Sequence, residues 1–69
     1  MDKTNSAAPI YETLKDEITF LIIPPNQRIS EIEVAKRFNV SRTPIRDVFK
    51  RLEVEGFLKI IPQKGTYVT

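Results

Sequence analysis

The stretch SRTPIRDVFKRLEVEG, residues 41–56, decides the fold. Ser41 stands where a helix begins, and its hydroxyl is expected to accept a hydrogen bond from a first-turn N–H. Pro44 falls inside that first turn, where a missing N–H costs nothing. Gly56 closes the helix, because glycine takes the left-handed conformation without a Cβ penalty. At 100° per residue, Ile45, Val48, Phe49 and Leu52 gather on one narrow face. Thr43, Arg46, Asp47 and Lys50 fall roughly opposite, with Arg42 at the edge of their face. The reading is a helix over 42–55 that buries one side and offers a cationic, hydrogen-bonding side to a ligand.

Working outward, Ser30-Glu31-Ile32-Glu33 fits the capping box, in which Ser30 and Glu33 satisfy each other's orphan N–H groups. A short helix over about 31–38 follows, with Val34, Ala35 and Phe38 inward and Lys36 and Arg37 outward. Asn39 tolerates the left-handed conformation that ends it, and Val40 plugs the core at the turn. A short capped helix, a tight turn and a longer capped helix form a helix-turn-helix. The turn sets the two helices at a steep angle, and the second protrudes with its first residues free to reach base edges in a DNA major groove.

Further upstream, a helical period starts at Pro9. Ile10, Tyr11, Leu14, Ile18, Leu21 and Ile22 share its apolar face, and Phe20 sits off it as an exposed singleton. Acids crowd the other side, which suits phosphate poorly. Residues 1–8 read as a disordered tail and 9–69 as one domain. Pro24-Pro25-Asn26-Gln27 reads as a turn, and Arg28-Ile29 as a very short strand. Downstream of Gly56 the period changes. Residues 57–61 and 66–69 read as strands joined by the turn Pro62-Gln63-Lys64-Gly65. An isolated hairpin is marginal, so Arg28-Ile29 is expected to add a third strand. The fold class is mostly α with a small β-hairpin: a winged helix-turn-helix of three helices plus a two- or three-stranded wing sheet.

Composition narrows the function. Among 69 residues there is neither Cys nor His, so thiolate and imidazole chemistry are absent. No nucleophile–base pair, metal cluster or glycine-rich phosphate loop is visible. Glu53 and Glu55 stand two apart on a helix, where side chains diverge. The chain therefore reads as a non-enzyme with no cofactor and no metal. No apolar run approaches the ~18 residues of a membrane span, and MDKTNSAAP lacks a signal peptide's basic and apolar regions. A cytoplasmic, membrane-free protein is expected. The net charge of +2 hides an asymmetry: residues 1–35 sum to −3 and residues 36–69 to +5. A polyanion partner for the second half follows, against the plainer reading of a solvated charged surface.

The run VSRTPIRDVFKRLEVEGFLKIIPQKGTYV, residues 40–68, resembles the DNA-binding domain of GntR-family bacterial transcription regulators, most closely the FadR-like branch. The upstream P-P-N-Q-R-I-S-E is also similar, so the resemblance runs from about Ile10 to Val68. It implies a winged helix-turn-helix that binds double-stranded, palindromic operator DNA as a homodimer. Ser41, Arg42, Thr43 and Arg46 carry over as recognition-helix contacts, and Gln63, Lys64 and Gly65 as wing contacts at the minor groove or its phosphates. Some relatives place an arginine where this chain has Ile32. Family members continue into a C-terminal domain that binds a small effector and dimerises, and that domain is expected to be missing here.

Residue by residue, Arg46 is the strongest base-reading candidate, since a guanidinium forks onto guanine O6 and N7. Its plainer reading is an ion pair with Asp47 or Glu53. Arg42 at the first helical position opposes the helix dipole, which hints at a ligand. Ser41 divides between capping and phosphate; Thr43 suits a phosphate or a thymine methyl. Lys50 reaches backbone where the helix leaves the groove, while Arg51 reads as solvated. Lys36 and Arg37 are flanking phosphate candidates, and Asp47 orients Arg42 or Arg46 or accepts from a cytosine amine. Tyr67 could stack on a sugar, against the plainer reading of core or sheet surface. The alternative function is a winged helix used for protein contacts, which calls for an exposed apolar patch on the third helix or wing.

Overall fold

Each helix of this protein stops at a residue with positive φ, and those three stops set the architecture. The computed structural model describes residues 7–69. The elements run α1 (Ala7–Thr19), β1 (Arg28–Ile29), α2 (Glu31–Phe38), α3 (Arg42–Val54), β2 (Leu58–Ile61) and β3 (Gly65–Val68). After α1 the N–H of Ile22 donates to Glu17 O (2.8 Å) and that of Leu21 to Ile18 O (3.2 Å). After α2, Val40 donates to Ala35 O and Asn39 to Lys36 O; after α3, Phe57 donates to Leu52 O and Gly56 to Glu53 O. This is the Schellman pattern three times over, with Leu21 (φ 62°), Asn39 (φ 58°) and Gly56 (φ 90°) as its left-handed residues.

The first stop corrects the expected apolar face of α1. The helix starts at Ala7, ahead of Pro9, and ends at Thr19. The expected tail falls, over residues 1–6, outside the described residues. Ile10, Tyr11, Leu14 and Ile18 are buried as read from the period, but Leu21 and Ile22 are exposed. The left-handed Leu21 turns the chain, so the 100° period no longer applies beyond it, and Ile23 packs against the core instead. Phe20 is thus no singleton: Phe20, Leu21 and Ile22 are exposed in succession. Ahead of α2, the Ser30 hydroxyl accepts from the N–H groups of Ile32 (3.1 Å) and Glu33 (3.3 Å). The return bond from Glu33 is absent among the described residues, so only half of the capping box forms.

The strands pair in the order β1-β3-β2, antiparallel throughout. Arg28 and Ile29 do supply the third strand, opposite Tyr67 and Thr66. Two turns share one form, the second standing over 61–64 rather than the expected 62–65, with Gly65 already in β3. Pro24-Pro25-Asn26-Gln27 closes with Gln27 N–H to Pro24 O (3.3 Å), and Ile61-Pro62-Gln63-Lys64 with Lys64 N–H to Ile61 O (3.0 Å). Each has proline second and a residue of positive φ third, Asn26 (70°) and Gln63 (65°), as a type II turn requires.

The core lies where α1, α2 and the sheet close on α3. Its largest fully buried side chains are Phe49, Leu14, Ile45, Leu52, Leu58 and Val68, with Val40 and Phe38 packed at its edge. At the far end of α3 a polar clamp adds to it. The Tyr11 hydroxyl donates to the Glu55 carboxylate, and the Arg51 guanidinium lies 3.9 Å over the Tyr11 ring while facing Glu55 at 3.6 Å. Arg51 stays exposed, as read from the sequence, and also joins α1 to α3. The Tyr11 bond holds the Glu55 pKa below the usual carboxylate range, helped by Arg51, and the same bond raises that of Tyr11. A lowered carboxylate pKa stabilises the fold above the unfolded value of ~4.3, and that contribution is lost as pH falls through the lower folded value. Glu55→Gln should therefore melt below wild type at neutral pH, and the gap should close in acid. Thermal melts from pH 7 to 3 check this; a gap constant with pH would show the clamp to be packing alone.

Candidate nucleic-acid interface

The exposed face of α3 follows from what its other face buries. Ile45, Val48, Phe49 and Leu52 are all within the core, so Ser41, Arg42, Thr43, Arg46, Asp47 and Lys50 are all exposed. Arg42, Arg46 and Lys50 rise along the helix at one-turn intervals of ~6 Å. Among the described residues neither Arg46 nor Lys50 makes an ion pair, and nor does Asp47. Asp47 thus orients neither arginine.

Arg42 has a different partner from the one the sequence offered. Its Nη2 donates to Glu31 Oε1 at 3.1 Å, from the first turn of α3 to the first turn of α2. Glu31 suits the positive end of α2, and its carboxylate offsets the misfit of a cation at the start of α3. Both groups are partly solvated, so the pair is worth only ~0–1 kcal/mol and leaves Arg42 free to turn to a stronger anion. Eleven residues separate the two, and no local signal in the sequence joins them.

Ser41 is at the N-cap position with extended backbone, φ −73° and ψ 172°, but its side chain makes no cap bond. The hydroxyl is thus available, and so are the first-turn N–H groups that it was expected to satisfy. Of the flanking cations, Arg37 is bound bidentately by Glu17 of α1 and stacks 4.9 Å over Phe38, so it ties α2 to α1. Lys36 stays exposed and makes no ion pair among the described residues. Ile32 is exposed at the start of α2.

At the wing tip Gln63 and Lys64 are exposed. The Tyr67 hydroxyl donates back to Lys64 O at 3.4 Å. Gly65 has φ 132°, and a Cβ there would meet Arg28 Nε at 2.7 Å. The φ of 132° is what calls for glycine here, while the exposed Arg28 side chain that lies over it could move aside. Gln63 is the reverse case, since a left-handed conformation costs an ordinary residue ~1–2 kcal/mol. The type II turn demands that conformation at its third position, so the strain at Gln63 comes from the turn, and glycine would relieve it. Gln63→Gly should leave stability level or higher by up to ~1 kcal/mol while weakening duplex binding. Denaturant melts and duplex titration together check this; a less stable variant would show that the amide supports the turn.

No helix among the described residues is long and apolar enough to cross a membrane, and no cluster of His, Cys, Asp or Glu there could hold a metal. Of the exposed large apolar residues, Phe20, Leu21 and Ile22 follow α1, Ile32 is in α2, Val54 is the last residue of α3 and Ile60 is in the wing strand β2, so α3 and the wing carry one each. On the exposed face of α3 Arg, Thr, Ser and Lys predominate, which disfavours the protein-contact alternative.

A family profile described as "Bacterial regulatory proteins, gntR family" matches residues 6–68. The HTH-type transcriptional repressor RspR of Escherichia coli K12 is 46% identical over 59 residues, covering 86% of this chain and 26% of its own length. An HTH-type transcriptional regulator of Bacillus subtilis, YdhC, is 41% identical over the same share of each. The chain thus spans about a quarter of the length of these curated relatives. Among solved structures, the AraR DNA-binding domain in complex with operator ORX1 superposes with a TM-score of 0.84 at 32% identity, covering 93% of this chain and 78% of that one. A GntR family member from Pseudomonas syringae pv. tomato superposes with a TM-score of 0.92 at 28% identity, covering all of this chain and 29% of that one.

Proposed function

Because this chain belongs to the gntR family of bacterial regulatory proteins, we propose that α3 lies in the major groove of an operator and the wing meets the adjacent minor groove or its phosphates. The observation that carries the reading is the row of exposed Arg46 and Lys50, unpaired among the described residues, beside a helix start whose serine is not spent on capping. Arg46 reads guanine through its fork, and Thr43 meets a phosphate or a thymine methyl. The Ser41 hydroxyl and the first-turn N–H groups take a phosphate, for which a helix N-terminus is suited. Arg42 leaves Glu31 for DNA, and Lys50, Gln63, Lys64 and the Gly65 backbone position the domain on the duplex. The AraR domain, whose solved complex contains its operator, supports this placement by its shared fold.

The whole regulator acts in the cytoplasm as a homodimer on a palindromic site, with a small effector bound by a separate C-terminal domain. Selection of bound duplexes from a random pool tests the reading. A recovered consensus with half-sites about one helical turn apart, ~34 Å, supports it. A pool that stays random after repeated rounds would overturn sequence-specific reading.

A further inference from the structure

The sheet turns one row of side chains away from the core. Directly opposed residues of an antiparallel sheet share a face. Arg28 of β1 opposes Tyr67 of β3, and Tyr67 opposes Lys59 of β2. The core takes the other face, with Ile29, Leu58 and Val68. Arg28, Tyr67 and Lys59 therefore form one row across the outer face. Arg28 and Lys59 are exposed and flank a half-buried tyrosine. The Arg28 side chain lies over Gly65, next in sequence to Lys64 of the wing tip, with Arg28 Nε 2.7 Å from where a Cβ at Gly65 would stand. Neither cation makes an ion pair among the described residues. Glu33 shares a shallow hollow with Arg28 but does not pair with it.

From this we infer that Arg28 and Lys59, together with Lys64 at the wing tip, form a phosphate-tracking stripe that engages duplex DNA beyond the segment read by α3. The inference rests on the proposed DNA reading and extends it. Arg28 and Lys59, from the two outer strands, share one face with no acid paired to them among the described residues, and β3 holds them apart on either side of a rigid ring. Such an array fits successive backbone phosphates, which bind by charge and carry no sequence information. The tyrosine ring gives a sugar a flat surface between them.

The test uses the 69-residue chain and a duplex recovered by selection, either ending at the consensus or extended by about ten base pairs on each side. Binding is titrated across salt for wild type, Arg28→Gln, Lys59→Gln, the double variant, Arg28→Lys and Arg46→Ala. On the long duplex each neutralised cation should lower the slope of log K against log salt by ~0.9, and Arg28→Lys should not. The advantage of the long duplex should disappear in the double variant. Melting temperatures separate a folding defect in Arg28→Gln, and Lys59→Gln supplies a test that does not disturb Gly65. If the double variant keeps the wild-type slope while Arg46→Ala loses selectivity, the stripe is overturned and the DNA reading stands. If neither variant changes binding, both are overturned.

Discussion

Replacing Arg46 by Ala is expected to cost ~1–3 kcal/mol of discrimination between the selected duplex and a random one, roughly 5- to 150-fold in relative affinity. The effect is large because the side chain is exposed one turn into α3 and is claimed by no acid among the described residues. A guanidinium that forked onto guanine would leave the base edge unpaired when removed. The fold should not feel the change. Alanine is the better helix former, and exposed substitutions that break no contact stay within ~0.5 kcal/mol. Competition titrations against both duplexes check the outcome. If Arg46 met only phosphate, both duplexes would weaken alike and selectivity would survive. Unchanged affinity for both would falsify its assignment to the interface.

Phe49→Ala is expected to remove about as much stability as the domain has. Phe49 is 1% exposed, and α3 packs on α1, α2 and β2 around it. Truncating a buried phenylalanine costs ~3–5 kcal/mol through lost transfer energy and the cavity left behind. The core of a chain under ~70–80 residues rarely supplies more than ~3–5 kcal/mol, so the variant should be largely unfolded at 37 °C and bind no duplex selectively. Phe49→Leu keeps most of the volume and should retain both fold and binding. Urea unfolding followed by circular dichroism checks each. A cooperative transition in Phe49→Ala near the wild-type midpoint would mean that the core is not centred on α3.

The two substitutions act on opposite faces of one helix, and both faces are legible in the sequence. Ile45, Val48, Phe49 and Leu52 announce themselves by period, and Arg46 is exposed because they are buried. The period misleads at Leu21 and Ile22, since it assumes that the helix continues. The chain turns at Leu21 in a conformation that nothing about leucine advertises. Ser41 misleads in another way: its position as N-cap is legible, but its rotamer, and hence the free hydroxyl, is not.

The linear chain alone settled what depends on neighbours a few residues apart: three amphipathic helices, their stops at Asn39 and Gly56, the proline turns, and the cationic face of α3. Backbone preference and helical period act over such distances, so a local stretch is enough to reveal them. Folding in three dimensions decided which charges are taken. Glu17 holds Arg37, Glu31 holds Arg42, and Tyr11 reaches Glu55 across 44 positions. It also laid Arg28 over Gly65 and lined it up with Lys59. A side-chain pair between distant segments depends on the crossing of helices and the register of strands. Those come from the packing of the whole core and leave no mark on any short run of residues.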